Sequence, residues 1–131
     1  MAAAPAGCGG DGVGRGQSAD ACSNADGALS NKPFVFVQTP SSGDRVTSGF
    51  SVTGCSSTFE GNVSWRLLAR DGHTLASGFT QGGSLEPESF VFTVTYSIGA
   101  RQIGQLEVYE PRVTTEGFPA VRNVVPLVLA P

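Results

Sequence analysis

The sequence has 131 residues, enough for one domain of ordinary size. Hydrophobic residues make up 40% and charged residues only 15%, so a core can form while the surface relies on Ser, Thr, Asn, Gln and Gly. A formal charge of −3 with a single lysine, Lys32, speaks against the basic stripe of a nucleic-acid binder and against a polybasic membrane patch, and no apolar run approaches the ~20 residues of a transmembrane helix.

Residues 1–32 are Gly, Ala, Ser and Asp with few large apolar side chains. Such a segment cannot bury enough surface to offset its ordering entropy, so a flexible tether is expected. "MAAAPAG" is too short and too weakly apolar for the core of a signal peptide, so export requires a signal that this sequence does not contain. Composition changes sharply at "PFVFV" (Pro33–Val37), and residues 33–131 are expected to form the folded domain.

Strand signals then alternate with turn signals. "FVFVQ" (Phe34–Gln38) is a first strand, and "TPSSGD" (Thr39–Asp44) is a loop marked by Pro and Gly. "GFSVTG" (Gly49–Gly54) sets Phe50 and Val52 on one face. "GNVSWRLLAR" (Gly61–Arg70) puts Val63, Trp65, Leu67 and Ala69 on one side and Asn62, Ser64 and Arg66 on the other. Asp71-Gly72 predicts a type I′ hairpin turn with positive φ at both residues, and "HTLASGFTQ" (His73–Gln81) is the returning strand. "SFVFTVTY" (Ser89–Tyr96), "QIGQLEVYE" (Gln102–Glu110) and "VRNVVPLVL" (Val121–Leu129) follow, with Pro126 suiting an edge or a solvent-facing N–H position. The count predicts an all-β fold, an immunoglobulin-like antiparallel β-sandwich of about seven strands behind a flexible N-terminal tail. Trp65, Phe50, Phe92 and Leu106 are the expected core.

The pattern resembles the second germination-module-associated (Gmad) domain, the immunoglobulin-like domain of bacterial spore germination proteins. The resemblance runs through "TPSSGDRVTSGFSVTG", "FEGNV" with Phe59, Glu60, Gly61 and Val63, the Asp71-Gly72 turn, "FVFTV" and "LEVYE". It implies a β-sandwich on an envelope-attached or secreted bacterial protein, with no established catalytic residues; no cofactor is expected. Phe59, Glu60 and Gly61 carry a structural motif in this reading.

Several residues admit sharper roles. Glu60, Asp71 and His73 include the only histidine, but each has a turn or corner role, and no nucleophile-elbow G-x-S-x-G occurs. Glu60 is expected to accept backbone N–H bonds at its corner, with Phe59 plugging the end of the core. No C-x-x-C or H-x-x-x-H marks a zinc site, and the glycines of "GCGGDGVGRG" neither follow a strand nor open a helix, so no phosphate loop is expected. Glu107, Glu110 and Glu116 gather toward one end and read as solvated loop charges rather than a calcium site. Tyr109, Glu110, Glu116 and Phe118 form a candidate interaction loop.

Three cysteines allow three single pairings. "PAGC" resembles the end of a bacterial lipobox, which makes Cys8 a lipidation candidate. If Cys8 carries lipid, Cys22 and Cys55 remain to form a disulfide, which fits an exported protein; the alternative is three free thiols in a reducing compartment. The functional expectation is a non-catalytic, monomeric module in the extracellular space or cell envelope, binding an envelope protein or glycan. It has no nucleic-acid partner and meets the membrane only through a lipid anchor. A structural spacer without a ligand is the alternative, and a hydrolase a third reading.

Overall fold

The computed structural model describes residues 22–24, 27–29, 32–111 and 121–131. Eight strands make up the described secondary structure: β1 (Phe34–Thr39), β2 (Arg45–Val46), β3 (Phe50–Ser57), β4 (Asn62–Leu68), β5 (Thr74–Gln81), β6 (Glu88–Val94), β7 (Gln102–Tyr109) and β8 (Arg122–Leu129). They form a three-stranded sheet of order β1-β3-β6 and a five-stranded sheet of order β2-β8-β7-β4-β5. The architecture is the all-β sandwich the alternation predicts. The eighth element is β2, two residues long and parallel to β8, too short to leave a period-two signal.

Alternation decides what is inside. Val63, Trp65 and Leu67 of β4, Leu106 and Val108 of β7, and Val125, Leu127 and Leu129 of β8 are buried, and they face Val35, Val37, Val52, Phe90 and Val94 of the other sheet. Trp65 stacks on Phe92 with centroids 4.8 Å apart and planes 7° apart, and Phe92 stacks in turn on Phe90 at 6.0 Å. Phe50, partly buried against the core, makes an edge contact with Tyr96 at 6.2 Å. The Tyr96 hydroxyl shares its proton between the carbonyls of Ala130 (2.7 Å) and Val46 (3.0 Å), which ties β2 to the end of β8. Asn123 of β8 accepts the Val37 N–H at 2.6 Å, joining the two sheets along one edge.

Three local expectations need correcting. The hairpin after β4 is not a type I′ turn: only Gly72 has positive φ (94°). The Gly72 N–H donates to Ala69 O and the Ala69 N–H to His73 O, giving a three-residue loop whose last position is left-handed. The register then slips at Leu67/Leu68, as the extra loop residue requires. Strand β3 does not stop at Gly54 but runs on to Ser57, so Cys55 lies within the central strand of its sheet rather than at a strand end. Pro126 is in β8, which is flanked on both sides, yet its ring is tolerated. It pairs with Gln105 while its carbonyl, on the side away from β7, accepts the Gly43 N–H at 2.8 Å. Its nitrogen therefore faces the loop, not the β7 ladder.

Candidate functional site

Glu60 and the Asp71–His73 pair are held apart by the strand between them. Glu60 precedes β4 and the pair follows it; seven strand residues at ~3.3 Å each put them roughly 20 Å or more apart. Asp71 Oδ1 accepts the His73 N–H at 3.0 Å and lies 2.5 Å from His73 Nδ1. Those contacts, the backbone one first, hold the Asp71 carboxyl below its usual range, while desolvation opposes them. Both side chains are exposed and serve their own turn.

The Phe59–Gly61 corner is built differently from the expectation. Phe59 does not plug the core: it is 66% exposed. Glu60 is exposed as well, and the acceptor for the corner is Glu110, whose Oε2 takes the Phe59 N–H at 2.7 Å from a position only 2% exposed. Ser84 Oγ donates to Phe59 O, and the Gly82 N–H donates to Gly61 O. Gly61 supplies the positive φ of 76° that lets the chain turn back into β4. Glu110 is thus a structural acceptor at the end of β7 rather than a solvated loop charge.

Glu107 needs the same correction. It lies on the outer face of the five-stranded sheet but is 5% exposed, because Arg66 binds one carboxylate oxygen and Arg122 the other, the latter at 3.0 Å. Register explains the clamp, since Arg66 pairs with Glu107 across β4 and β7. The Arg66 guanidinium also sits over the Tyr109 ring at 5.6 Å from its centroid. Among the described residues no three His, Cys, Asp or Glu side chains converge as a metal set.

Beside this clamp the same face opens into two shallow clefts. One of about 410 Å³ lies among Phe59, Glu60, Asn62, Glu110 and Pro111. Another of about 390 Å³ includes Asn62, Ser64, Phe79, Tyr109 and Pro111. Asn62 and Pro111 belong to both. Phe79, 75% exposed, stands in one register row with Ser64 and Tyr109. The sequence reading did not single out Phe79. Pairing Gly78 with Trp65 turns Phe79 outward, and that pairing becomes visible only once the hairpin register is known. Of the candidate interaction loop, Tyr109 is half-buried beside this cleft, Glu110 is buried, and Glu116 and Phe118 lie outside the described residues.

Cys22 and Cys55 form a disulfide with Cα atoms 5.4 Å apart. Cys55 shares a register row with Phe36 and Ser89, on the face of the three-stranded sheet turned away from the core, yet it is fully buried. Cys22 therefore lies on that outer face, over Cys55. Asn24 extends the contact by donating from Nδ2 to Glu86 Oε1 at 2.8 Å. Cys8 lies outside the described residues.

Two sheets of short, mostly antiparallel strands closed around a single apolar layer, with no assembled catalytic set in the described residues, define an immunoglobulin-like β-sandwich domain. Residues 34–115, more than half of the chain, match Gmad2, the immunoglobulin-like domain of bacterial spore germination, and the chain belongs to that family. The match spans β1 through β7, and β8 completes the five-stranded sheet beyond it. No curated protein matches the chain. Membership in an immunoglobulin-like family points to a non-catalytic module.

Proposed function

We propose that this chain is a non-catalytic, monomeric interaction module of an exported bacterial protein, engaging an envelope protein or glycan through the cleft beside Phe79. The observation that carries the reading is Phe79 itself. A ring 75% exposed on a strand, aligned with Ser64 and Tyr109, is the kind of rigid aromatic anchor that binding surfaces use. Asn62 and Ser64 supply hydrogen-bonding groups at its side. The Cys22–Cys55 disulfide supports an oxidising compartment and hence the outside of the cell, free or held there through a lipid on Cys8.

The reading separates from that of a bare spacer by one comparison. Purified chain is tested for binding to cell-wall glycan fragments and to immobilised envelope proteins, beside Phe79→Ala and Tyr109→Ala. Binding that falls by about tenfold or more in Phe79→Ala, with an unchanged melting temperature, supports the module. Binding that is absent in wild type, or indifferent to both substitutions, returns the domain to a spacer role.

A further inference from the structure

All five arginines of the described residues, Arg45, Arg66, Arg70, Arg101 and Arg122, lie on or beside the outer face of the five-stranded sheet. They are scattered in sequence, so composition and charge runs give no basic patch; the sheet gathers them. Two of them are committed, because Arg66 and Arg122 clamp Glu107. The other three line one groove of about 490 Å³ at the opposite end of the face, together with Ile103 and Val128.

The neighbouring carboxylates make no ion pair with this trio. Asp44 Oδ2 accepts the Ser41 N–H at 2.9 Å, and Asp71 is engaged by His73. Among the described residues, Arg45, Arg70 and Arg101 form no ion pair. Their backbones are fixed: Arg45 pairs with Val128, the Arg70 N–H donates to Gln102 Oε1 at 2.9 Å, and Arg101 leads directly into β7. Between them stands Ile103, 59% exposed, in the register row that runs from Arg45 through Val128.

Three unpaired guanidinium forks around an exposed aliphatic side chain call for an occupant that is anionic outside and apolar beneath. We infer that this end of the domain contacts the phosphate headgroups of an anionic lipid bilayer, with Ile103 entering the headgroup layer. Guanidinium groups match phosphate oxygens in pairs, and an aliphatic residue ringed by cations suits the bilayer interface. A single-stranded nucleic acid would instead require aromatic stacking platforms, and the groove has none. From Ile103 to Tyr109 is six residues of β7, roughly 20 Å, so the cleft beside Phe79 stays clear of the membrane. The inference stands independently of the partner proposed for that cleft.

Co-sedimentation with vesicles tests it, using phosphatidylcholine alone against equimolar phosphatidylglycerol and phosphatidylcholine. Three arginines at an anionic surface should raise partitioning by roughly 100-fold over neutral vesicles at low salt, with the excess falling as ionic strength rises. R45Q/R70Q/R101Q should lose that excess, Lys32→Gln should keep it, and Ile103→Ser should weaken binding several-fold without changing its salt dependence. Far-UV circular dichroism and Trp65 emission confirm that each variant is folded. Equal binding to the two vesicle types, or a triple variant that binds like wild type, overturns the inference. So does displacement by soluble glycerol phosphate at matched phosphate concentration, which assigns the groove to a free anion. Binding to polyglutamate without binding to vesicles assigns it to an acidic protein and overturns it equally.

Discussion

Gly78→Ala tests the packing that orients the candidate cleft. A Cβ at position 78 meets Trp65 Cζ2 at 2.7 Å, Cε2 at 3.0 Å and Nε1 at 3.1 Å, well inside the ~3.5–4.0 Å of a carbon–carbon contact. The indole cannot swing aside, because Phe92 is stacked on it at 4.8 Å and Phe90 lies behind Phe92. Either the ring stack shifts or β5 bows outward. Overpacking of this kind costs about 1–3 kcal/mol. Replacing glycine restricts the unfolded chain and returns about 0.4–1 kcal/mol. The net expectation is a loss of about 1–2 kcal/mol, several degrees in melting temperature for a domain of this size. Urea unfolding followed by circular dichroism measures it, and the same substitution in a Trp65→Phe background supplies the control, since phenylalanine lacks the second ring that the Cβ would strike. There the cost should fall below about 0.5 kcal/mol, leaving a coupling of about 1 kcal/mol. A neutral Gly78→Ala, or equal costs in the two backgrounds, would refute the claim that Gly78 exists to make room for Trp65.

Three further outcomes are expected. Replacing Cys22 and Cys55 by serine opens a crosslink of sequence separation 33 and should cost about 3–4 kcal/mol in the chain-entropy account; thermal melts equal to wild type would deny the bond its stabilising role. Tyr96→Phe removes the hydroxyl shared by Ala130 and Val46 and should cost about 1–2 kcal/mol by urea titration. Burial raises the Tyr96 pKa above its usual 10.0, against the opposing Ala130 hydrogen bond, so its contribution is complete below about 10 and is lost as pH rises through the higher folded value; the variant should lack that alkaline limb. Asp71 shows the reverse sign. The His73 contacts lower its pKa from 3.8, so its contribution is complete above about 3.8 and is lost as pH falls through the lower folded value. Asp71→Asn should flatten that acid limb of the urea midpoint, and an unchanged limb would remove the assignment.

The period-two pattern made the sandwich legible because each inward residue repeats at every second position. Val63, Trp65 and Leu67 needed no partner to declare their face. What stayed hidden depends on register and on distant residues. The reversal of roles at the Phe59 corner is an example. The sequence shows Glu60 next to Phe59, but the acceptor that binds the corner is Glu110, fifty-one residues away. Glu107 looked like a loop charge because nothing local reveals that β4 and β7 set Arg66 opposite it. The hairpin turn was misread for a subtler reason: Asp-Gly also fits the last two positions of a three-residue loop, where only the glycine must be left-handed.

These corrections converge on one asymmetry between the two sheets. The outer face of β1-β3-β6 carries Cys55, and the segment bonded to it covers that residue, while Phe36 and Val91 of the same face stay exposed. The outer face of β2-β8-β7-β4-β5 receives the aromatic cleft at one end and the arginine groove at the other, with Glu107 bound to Arg66 and Arg122 beside the cleft. The disulfide and the arginine clamp therefore have complementary effects. One buries Cys55 on a face of the sandwich by bonding it to Cys22. The other ties Arg66 and Arg122 to one carboxylate beside the aromatic cleft of the opposite face, leaving Arg45, Arg70 and Arg101 without an ion pair among the described residues. A domain built this way carries, on the outer face of its five-stranded sheet, a cleft lined by Phe79 and Tyr109 and, at the other end, a groove lined by Arg45, Arg70 and Arg101. Substitutions at Phe79 and at Arg45, Arg70 and Arg101 should then act on different ligands, without crossover between the two assays.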